Sequence, residues 1–313
     1  MKLSLVNLCL VMLFVAAVAG CTAAAVEPQK SAVPGFPMTV TDGIDRQVRL
    51  EKMPEKIVSL APSNTEILYA LGLGEKVVGV TQYCNFPEEV KAKPKVGGFS
   101  TADIERIVAL TPDLALVSRI HEKEVIPALE RVGVRAYGLS PKTVDAIPPS
   151  ISGVGVITGR SQAASNLVEI MASAMSGVTS RTNGLGTDRR PRVLYVNWHD
   201  PIKSAGRDTF ADDLIRKAGG TNIVNEFTGY NAVSLESIVT RNPQVIIVSG
   251  MGTTRQTIYN SIMAESRLKG TEAMAKGQVY EIDSDLIDRP GPRIVQALAQ
   301  IAKLIHPEIF GKL

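Results

Sequence analysis

Cysteine and histidine are scarce in this chain of 313 residues, which contains three of each. Two of the cysteines lie within the first 21 residues, so Cys84 is the only cysteine in the rest of the chain and no internal disulfide can form there. The three histidines are far apart, and neither a Cys-x-x-Cys nor a His-x-x-x-His motif occurs. We therefore expect a fold stabilised by packing alone, without a dedicated zinc or manganese site and without a bound cofactor.

Net charge is also low, because 34 basic and 31 acidic residues leave +3 at pH 7. No run of Lys or Arg occurs, so nucleic acid is not expected as a partner. With 45% hydrophobic residues, 26 Gly and 18 Pro, the composition is that of a globular protein and excludes collagen-like, coiled-coil, disordered and multi-spanning membrane classes. About 290 residues remain once a leader is removed, which is more than one hydrophobic core usually serves, so two lobes are expected.

One apolar run, at residues 8–18, follows a basic residue at the N-terminus and precedes a group of small residues. These are the features of an export signal. The run is short for a membrane-spanning helix, and residues 18–21 resemble the lipobox at which a prokaryotic leader is cut and the cysteine receives lipid. We expect a signal peptide at 1–20, lipidation of Cys21, a tether at 21–37 and a lipid-anchored protein on the extracytoplasmic face of the cell membrane. A plain secretory cleavage with an idle Cys21 thiol is the alternative.

After the tether, short apolar strands alternate with amphipathic helices, which predicts parallel β-sheets covered by helices. We assign a small hairpin to 38–55, an N-terminal α/β lobe to 56–142 and a C-terminal α/β lobe to 191–313. Apolar residues keep a helical period through 143–182 and predict one long connector helix. Two adjacent prolines and Gly159 interrupt this period, so the helix is expected to start late or to bend near them.

An internal repeat indicates that the two lobes are similar. Residues 104–118 align without gaps on residues 235–249, and both segments contain a glutamate, an Ile-Val pair, a proline and a final Val-Ser. Each copy is expected to form a helix, a turn and a buried strand. The predicted fold class is therefore α/β, with two doubly wound α/β lobes joined by a single long connector helix and a ligand cleft between the lobes. A chance match is the alternative, because a helix, a proline turn and a strand often follow one another.

Aromatic residues make up only 5% of the chain, yet several fall where the cleft is expected. Those at or near predicted strand-to-helix junctions are Tyr83, Phe86, Phe99, Trp198 and Tyr230. Large flat rings offer stacking area to a broad, partly apolar ligand, although each ring could instead cover the core of its own lobe. Arg289, in a Pro/Gly loop before the last helix, could offer several donors to amide or carboxylate groups. A surface ion pair with Asp285 or Asp288 is the alternative.

The repeat assigns Glu105 and Glu236 to equivalent points near the starts of two helices. A carboxylate is favoured there by the unpaired amides and the helix dipole, and this alone can explain both residues. A pair of exposed carboxylates, one on each lobe, also matches what a two-fold membrane partner carrying arginines would need for docking. Both glutamates are therefore candidates for docking.

Motifs of catalysis are absent from the sequence. It contains no Gly-x-Ser-x-Gly and no phosphate-binding Gly-x-x-x-x-Gly-Lys-Ser/Thr segment. His199 and Asp200 beside Trp198 could act as an acid/base pair, but a polar lining or a loop cap is the simpler interpretation. We expect a binding protein and not an enzyme. An extracytoplasmic enzyme that uses the same cleft is the alternative of another class, while the aromatic loops argue against a purely structural surface protein.

Five stretches of the sequence resemble the substrate-binding proteins of cobalamin, siderophore and haem ABC importers. They are residues 57–66 (IVSLAPSNTE), 96–99 (VGGF), 104–114 (IERIVALTPDL), 218–223 (AGGTNI) and 289–293 (RPGPR). The resemblance runs from about residue 56 to the C-terminus and is closest to the cobalamin-binding member. It implies two α/β lobes bridged by one long helix, little hinge motion, and a ligand held in the cleft before its delivery to the transmembrane subunits of an ABC permease.

The resemblance also implies roles for individual residues. Glu105 and Glu236 match the permease-docking glutamates of the family. The cleft positions that contact the corrinoid in the vitamin B12 member match Tyr83, Phe99, Tyr230 and Arg289. Trp198 falls one place off an aromatic position of that member and is included among the ligand-binding candidates. The ligand implied by these matches is a corrinoid.

The last cleft loop departs from the cobalamin-binding member, which has a Trp-Phe pair where this chain has Leu286-Ile287. Haem and a ferric siderophore therefore stay open as alternative ligands. For haem, Tyr83, His121 or His199 could approach the iron, and arginines could meet a ferric siderophore. In each case the implied partners are a small molecule, an ABC permease and, through the lipid anchor, the membrane.

Overall fold

The computed structural model describes residues 35–250 and 253–312. The predicted signal peptide at 1–20, the lipidation site Cys21 and most of the tether lie outside these residues. Within the described ranges, every helix is too short or too polar to span a bilayer.

A hairpin precedes the first lobe, as predicted, with antiparallel strands β1 (Met38–Thr41) and β2 (Gln47–Leu50). The Asp42 carboxylate fixes its turn, because Oδ1 accepts the backbone N–H groups of Ile44 (3.1 Å) and Arg46 (2.9 Å). Oδ2 accepts the N–H of Gly138 at 3.0 Å and so joins the hairpin to the N-terminal lobe.

The N-terminal lobe is a four-stranded parallel sheet covered by helices. Its elements are β3 (Ile57–Ser59), α1 (Pro62–Ala70), β4 (Val77–Val80), α2 (Ile104–Ala109), β5 (Leu114–Ser118), α3 (Val125–Arg131) and β6 (Arg135–Leu139). The strands lie in the order β4-β3-β5-β6. The strand sequences are mainly apolar, as expected for a parallel sheet that is covered on both faces.

Two helices connect the lobes where a single helix was predicted: α4 (Ile147–Ile157) and α5 (Ser161–Thr182). The two prolines lie in the first turn of α4, where the backbone N–H groups have no helical partner. Gly159 adopts a φ of +67°, and the next N–H donates to the carbonyl of Gly155 at 2.7 Å. This arrangement ends a helix, so the expected interruption at Gly159 is confirmed and it divides the connector.

The C-terminal lobe contains a second four-stranded parallel sheet. Its elements are β7 (Arg192–Val196), β8 (Trp198–His199), β9 (Ile202–Ala205), α6 (Phe210–Lys217), β10 (Thr221–Asn222), β11 (Tyr230–Ala232), α7 (Leu235–Arg241), β12 (Val245–Gly250), α8 (Thr253–Ala264), α9 (Glu272–Ala275), β13 (Val279–Asp283), α10 (Ser284–Ile287), α11 (Ile294–Ile305) and α12 (Pro307–Phe310). The parallel strands lie in the order β10-β7-β12-β13, and a small antiparallel sheet has the order β11-β9-β8.

Both large sheets have the same strand order. When only the strands of each large sheet are counted along the chain, they lie in the order second, first, third and fourth. The two copies of the sequence repeat, α2 with β5 and α7 with β12, supply the third strand of their sheets. The prediction of two doubly wound lobes built on one plan is therefore confirmed.

One hydrophobic core continues across both lobes. Its buried residues include Ile67 of α1, Ile151 of α4, Met171 of α5, Leu214 of α6 and Ile301 of α11. Helix α4 packs against α1, while α5 packs against α6 and α11. Separating the lobes would expose this shared apolar surface to water, so the packing favours a fixed arrangement.

Candidate functional site

A cavity of about 510 Å³ lies between the lobes. Its N-terminal wall comes from segments that follow the carboxyl ends of β3, β4, β5 and β6, and its C-terminal wall from residues 288–290, after α10. Ligands bind at this edge of doubly wound sheets, because the loops there are free to vary. The cleft expected from the sequence is thus present, and its position follows from the strand order.

Hydroxyl groups make up most of the polar lining of this cavity. They belong to Ser63, Tyr83, Ser100, Thr101, Ser118, Ser140 and Ser150. Asp288 and Arg289 are the only charged residues in the lining formed by the described parts of the chain. The cavity therefore offers many neutral hydrogen-bonding groups and little net charge.

Tyr83 and Phe99 contribute aromatic rings to the cavity, and 45% and 37% of their surfaces are exposed. Tyr83 is held by a tight turn in which the Cys84 N–H donates to the Thr81 carbonyl at 3.1 Å. The Cys84 side chain is buried below this turn, with its sulfur 3.2 Å from the Thr65 hydroxyl. Cys84 thus packs beneath the turn that holds Tyr83.

The other predicted aromatic residues lie outside the lining. The Tyr230 hydroxyl donates to Asp288 Oδ1 at 3.1 Å and so contacts a lining residue. Trp198 lies on β8 and donates from Nε1 to the Asp200 carbonyl at 2.9 Å. Phe86 packs against the guanidinium of Arg293, which lies 4.1 Å from its ring centroid. Tyr83, Phe99 and Arg289 are therefore the predicted ligand-binding residues that share one cavity.

Arg289 lines the cavity, but protein acceptors already surround its guanidinium. Nη1 donates to Glu66 Oε1 (3.2 Å) and Asn85 Oδ1 (2.7 Å). Nη2 donates to the Tyr83 carbonyl (3.3 Å) and pairs with Asp285 at 2.6 Å. The ion pair with Asp285, considered above as an alternative, is present, and Arg289 joins the two lobes.

Glu66 is the centre of this contact between the lobes, although it was not among the site residues expected from the sequence. Its carboxylate, on α1, is 2% exposed and also accepts from Arg293 Nε (2.9 Å) and Nη2 (2.6 Å). We call the group formed by Glu66, Asn85, Asp285, Arg289 and Arg293 the seam cluster. Glu66 is one of six consecutive buried residues of α1, and a buried charge requires a partner.

Asp288 is a second polar residue that the sequence did not single out as a site residue. Its Oδ1 accepts from the hydroxyls of Tyr195 (3.2 Å) and Tyr230 (3.1 Å). Burial raises the pKa of Asp288 to about 6, against the opposite effect of the two tyrosine hydrogen bonds. The C-terminal wall of the cavity thus contains a carboxyl group that titrates above its ordinary range.

Histidine is absent from the cavity lining formed by the described residues. His121 is fully buried and bonded to backbone groups, and His306 is buried beside Gly219. His199 lines a separate cavity of about 410 Å³ together with Asp200 and Ser234. No group of three or more His, Cys, Asp or Glu residues in the described ranges could hold a metal ion.

Glu105 and Glu236 are both exposed, in the first turns of α2 and α7. Other side chains already cap these helices: Asp103 accepts the Arg106 N–H at 3.0 Å, and Ser234 accepts the Ser237 N–H at 3.2 Å. Because both helices run back from the carboxyl edge of their sheets, each glutamate lies at the edge that carries the cavity loops. The capping hydrogen bonds of both helices are thus made by other side chains, and the two carboxylates stay exposed.

Comparison with known proteins gives a consistent family match. Residues 57–286 match the sequence model of a family described as periplasmic binding protein. The chain is 32% identical over 280 residues to the uncharacterized ABC transporter substrate-binding lipoprotein YvrC of Bacillus subtilis. The matched region covers 88% of this chain and 87% of that protein, so the similarity includes both lobes.

Two solved structures with this fold have similar levels of identity. The periplasmic vitamin B12-binding protein BtuF of Vibrio cholerae is 25% identical, with a TM-score of 0.68 over 80% of this chain and 96% of that one. The periplasmic haem-binding protein RhuT of Roseiflexus is 26% identical, with a TM-score of 0.73 over 80% of this chain and 98% of that one. The fold is thus shared by proteins named for two different ligands.

Proposed function

Since this chain belongs to the periplasmic binding protein family and is the substrate-binding component of an ABC importer, we propose that the ligand it captures is a corrinoid such as cobalamin. It functions outside the cytoplasm and together with the transmembrane subunits of a permease. It is a transport protein and not an enzyme, so capture and release of the ligand are its whole chemistry.

The charge of the cavity lining is the observation that carries the corrinoid proposal. Two aromatic rings can pack against a broad, flat molecule, and the many hydroxyl groups can donate to and accept from amides. A corrinoid combines a flat macrocycle with neutral amide side chains. The Arg289 guanidinium, the only cation in the described lining, is already neutralised by Glu66 and Asp285.

Haem is the alternative ligand, and the similarity to the haem-binding protein RhuT supports it. The exposed Tyr83 hydroxyl could approach a haem iron, because phenolate oxygen is a known iron ligand. Haem, however, carries two carboxylates, which would need cationic partners when buried. The carboxyl group of Asp288 lines this cavity, so it makes the binding of the haem carboxylates less favourable.

Calorimetric titration of the chain without its leader tests this proposal. Cyanocobalamin and cobinamide are expected to bind with submillimolar affinity, and haem and a ferric siderophore more weakly. Cobinamide lacks the nucleotide loop, so equal affinities would assign recognition to the macrocycle. Tight binding of haem together with no binding of either corrinoid would contradict the proposal.

The aromatic rings of the cavity give a sharper test. Tyr83→Ala and Phe99→Ala are each expected to weaken cyanocobalamin binding by about 10- to 100-fold, because each removes a ring that the ligand would cover. Phe86→Ala is the matched control, since this ring is 44% exposed but lies outside the cavity lining. Tyr83→Phe retains the ring and should bind the corrinoid normally, whereas an iron-ligating Tyr83 would require the hydroxyl. Equal losses in the Phe86 and Phe99 variants would contradict the assignment.

For docking on the permease, we assign Glu105 and Glu236, one on each lobe. Both carboxylates are exposed, and each has an exposed valine three residues later, Val108 and Val239. Residues three apart share a helix face, so each lobe presents one carboxylate beside one apolar group. A permease made of two equivalent subunits could contact the two faces in the same way.

Attachment to the membrane is assigned to a lipid on Cys21. The assignment is supported by the lipobox-like residues 18–21 and by the similarity to YvrC, a protein named as a lipoprotein. Cys21→Ala should abolish the incorporation of labelled fatty acid into the protein in cells, because the thiol that would carry the lipid is lost. A Cys21→Ala protein that still incorporated labelled fatty acid would contradict this assignment.

A further inference from the structure

His121 lies directly behind the wall of the cavity, and both of its ring nitrogens contact backbone groups of lining residues. The residue ends a short 3₁₀ turn, Arg119–His121, that follows β5. Its Nε2 lies 2.6 Å from the carbonyl oxygen of Phe99, and its Nδ1 accepts the backbone N–H of Ser118 at 2.9 Å. The side chain is completely buried, so neither nitrogen is available to a ligand.

These contacts define the protonation state of the ring. A backbone N–H can only donate, so Nδ1 must be the unprotonated acceptor. The ring proton is then on Nε2, which donates to the Phe99 carbonyl. Burial lowers the pKa of His121, in agreement with a neutral ring.

Residues 97–101, which we call the Phe99 loop, depend on this contact. At its base the Gly97 carbonyl accepts the Gln82 N–H at 2.9 Å, and the Gly98 N–H donates to the Thr101 carbonyl at 3.0 Å. In the part of the chain that is described, His121 makes the one side-chain hydrogen bond to the tip of the loop, residues 98–101. The imidazole also meets the Phe99 ring edge to face, with centroids 5.7 Å apart.

We propose that His121 is a positioning residue for ligand binding, which holds the Phe99 loop in the orientation that presents its ring to the ligand. The inference rests on the proposed ligand site in the cavity. Residues 98–101 all line that cavity, so a loop that moved would lose several contacts at once. Without this hydrogen bond, only the base of the loop would be held in place. Ordering the tip on ligand binding would then cost free energy and weaken the affinity.

Two variants separate positioning from simple packing. His121→Gln can supply an amide N–H near the position of Nε2 and so retain the bond to Phe99, while it loses the acceptor for Ser118. His121→Asn can supply an oxygen near the position of Nδ1 and so retain the bond to Ser118, while it loses the donor to Phe99. Both variants replace the buried imidazole ring with an open-chain amide. Both should therefore lower the midpoint of thermal unfolding by similar amounts.

Cyanocobalamin affinity is expected to fall about tenfold in His121→Asn and to be largely restored in His121→Gln. Hydrogen exchange of the Phe99 loop, measured without ligand, should become faster in His121→Asn and stay near the wild-type rate in His121→Gln. Equal affinities and equal loop exchange in the two variants would overturn the inference. If the wild-type protein did not bind cyanocobalamin, the proposed ligand would be wrong, and the exchange data would still decide whether His121 orders the loop.

Discussion

Replacing Glu105 and Glu236 together with Ala is expected to abolish ligand uptake by cells. Truncating one partner of a hydrogen-bonded charge pair at an interface costs about 2–5 kcal/mol, so two such pairs correspond to roughly a thousandfold or more in affinity for the permease. Both carboxylates are exposed, and neither caps its helix. Stability and ligand affinity should therefore change little, by about twofold or less in affinity.

The measurement is uptake of labelled cyanocobalamin by cells that carry the cognate permease, together with calorimetric affinity of each purified protein. Glu169→Ala is a matched control, because Glu169 is an exposed glutamate of α5 on the connector. The two single variants should show intermediate uptake, and Lys at either position should reduce uptake more than Ala, since like charges would meet. Wild-type uptake by the double variant would remove the docking assignment.

A large loss of stability is expected when the seam cluster loses its central carboxylate. In Glu66→Ala the guanidiniums of Arg289 and Arg293, whose side chains are 12% and 16% exposed, lose their shared partner between the lobes. Removing one member of a buried ion pair costs about 3–5 kcal/mol. We expect a decrease of that size in the free energy of unfolding by urea, with a midpoint of thermal unfolding lower by roughly 10 °C.

Glu130→Ala is the control for this experiment, because the Glu130 side chain is 46% exposed and pairs with Arg46 near the surface. Such a pair contributes about 0–1 kcal/mol. Glu66→Gln should fall between the two, since it keeps an acceptor for the arginines but loses the charge. Similar losses in the Glu66→Ala and Glu130→Ala proteins would show that the seam cluster is energetically no different from a surface pair.

Much of the architecture could be predicted from local patterns. Apolar runs such as those at β5 and β12 predicted buried parallel strands, and the aligned segments 104–118 and 235–249 predicted the common plan of the lobes. The antiparallel sheet β11-β9-β8 was not predicted. Its strands are two to four residues long, and their pairing depends on contacts between distant segments.

The site could be predicted only in part, and for a similar reason. Tyr83 and Phe99 lie between β4 and α2, and Arg289 lies between β13 and α11, so the order of strands and helices brings them to one edge. The role of Glu66 depends on arginines 223 and 227 residues later in the chain, which no local pattern reveals. The role of His121 likewise depends on its contact with the Phe99 carbonyl, and this contact forms only when two loops fold together.

The core that runs through α1, α4, α5 and α11 has a consequence for the transport cycle. If the lobes keep this packing when the ligand binds, the protein has nearly the same outline with and without its ligand. A permease could then distinguish the two forms only through the ligand itself, at the mouth of the cavity, and through the few rim residues that touch it.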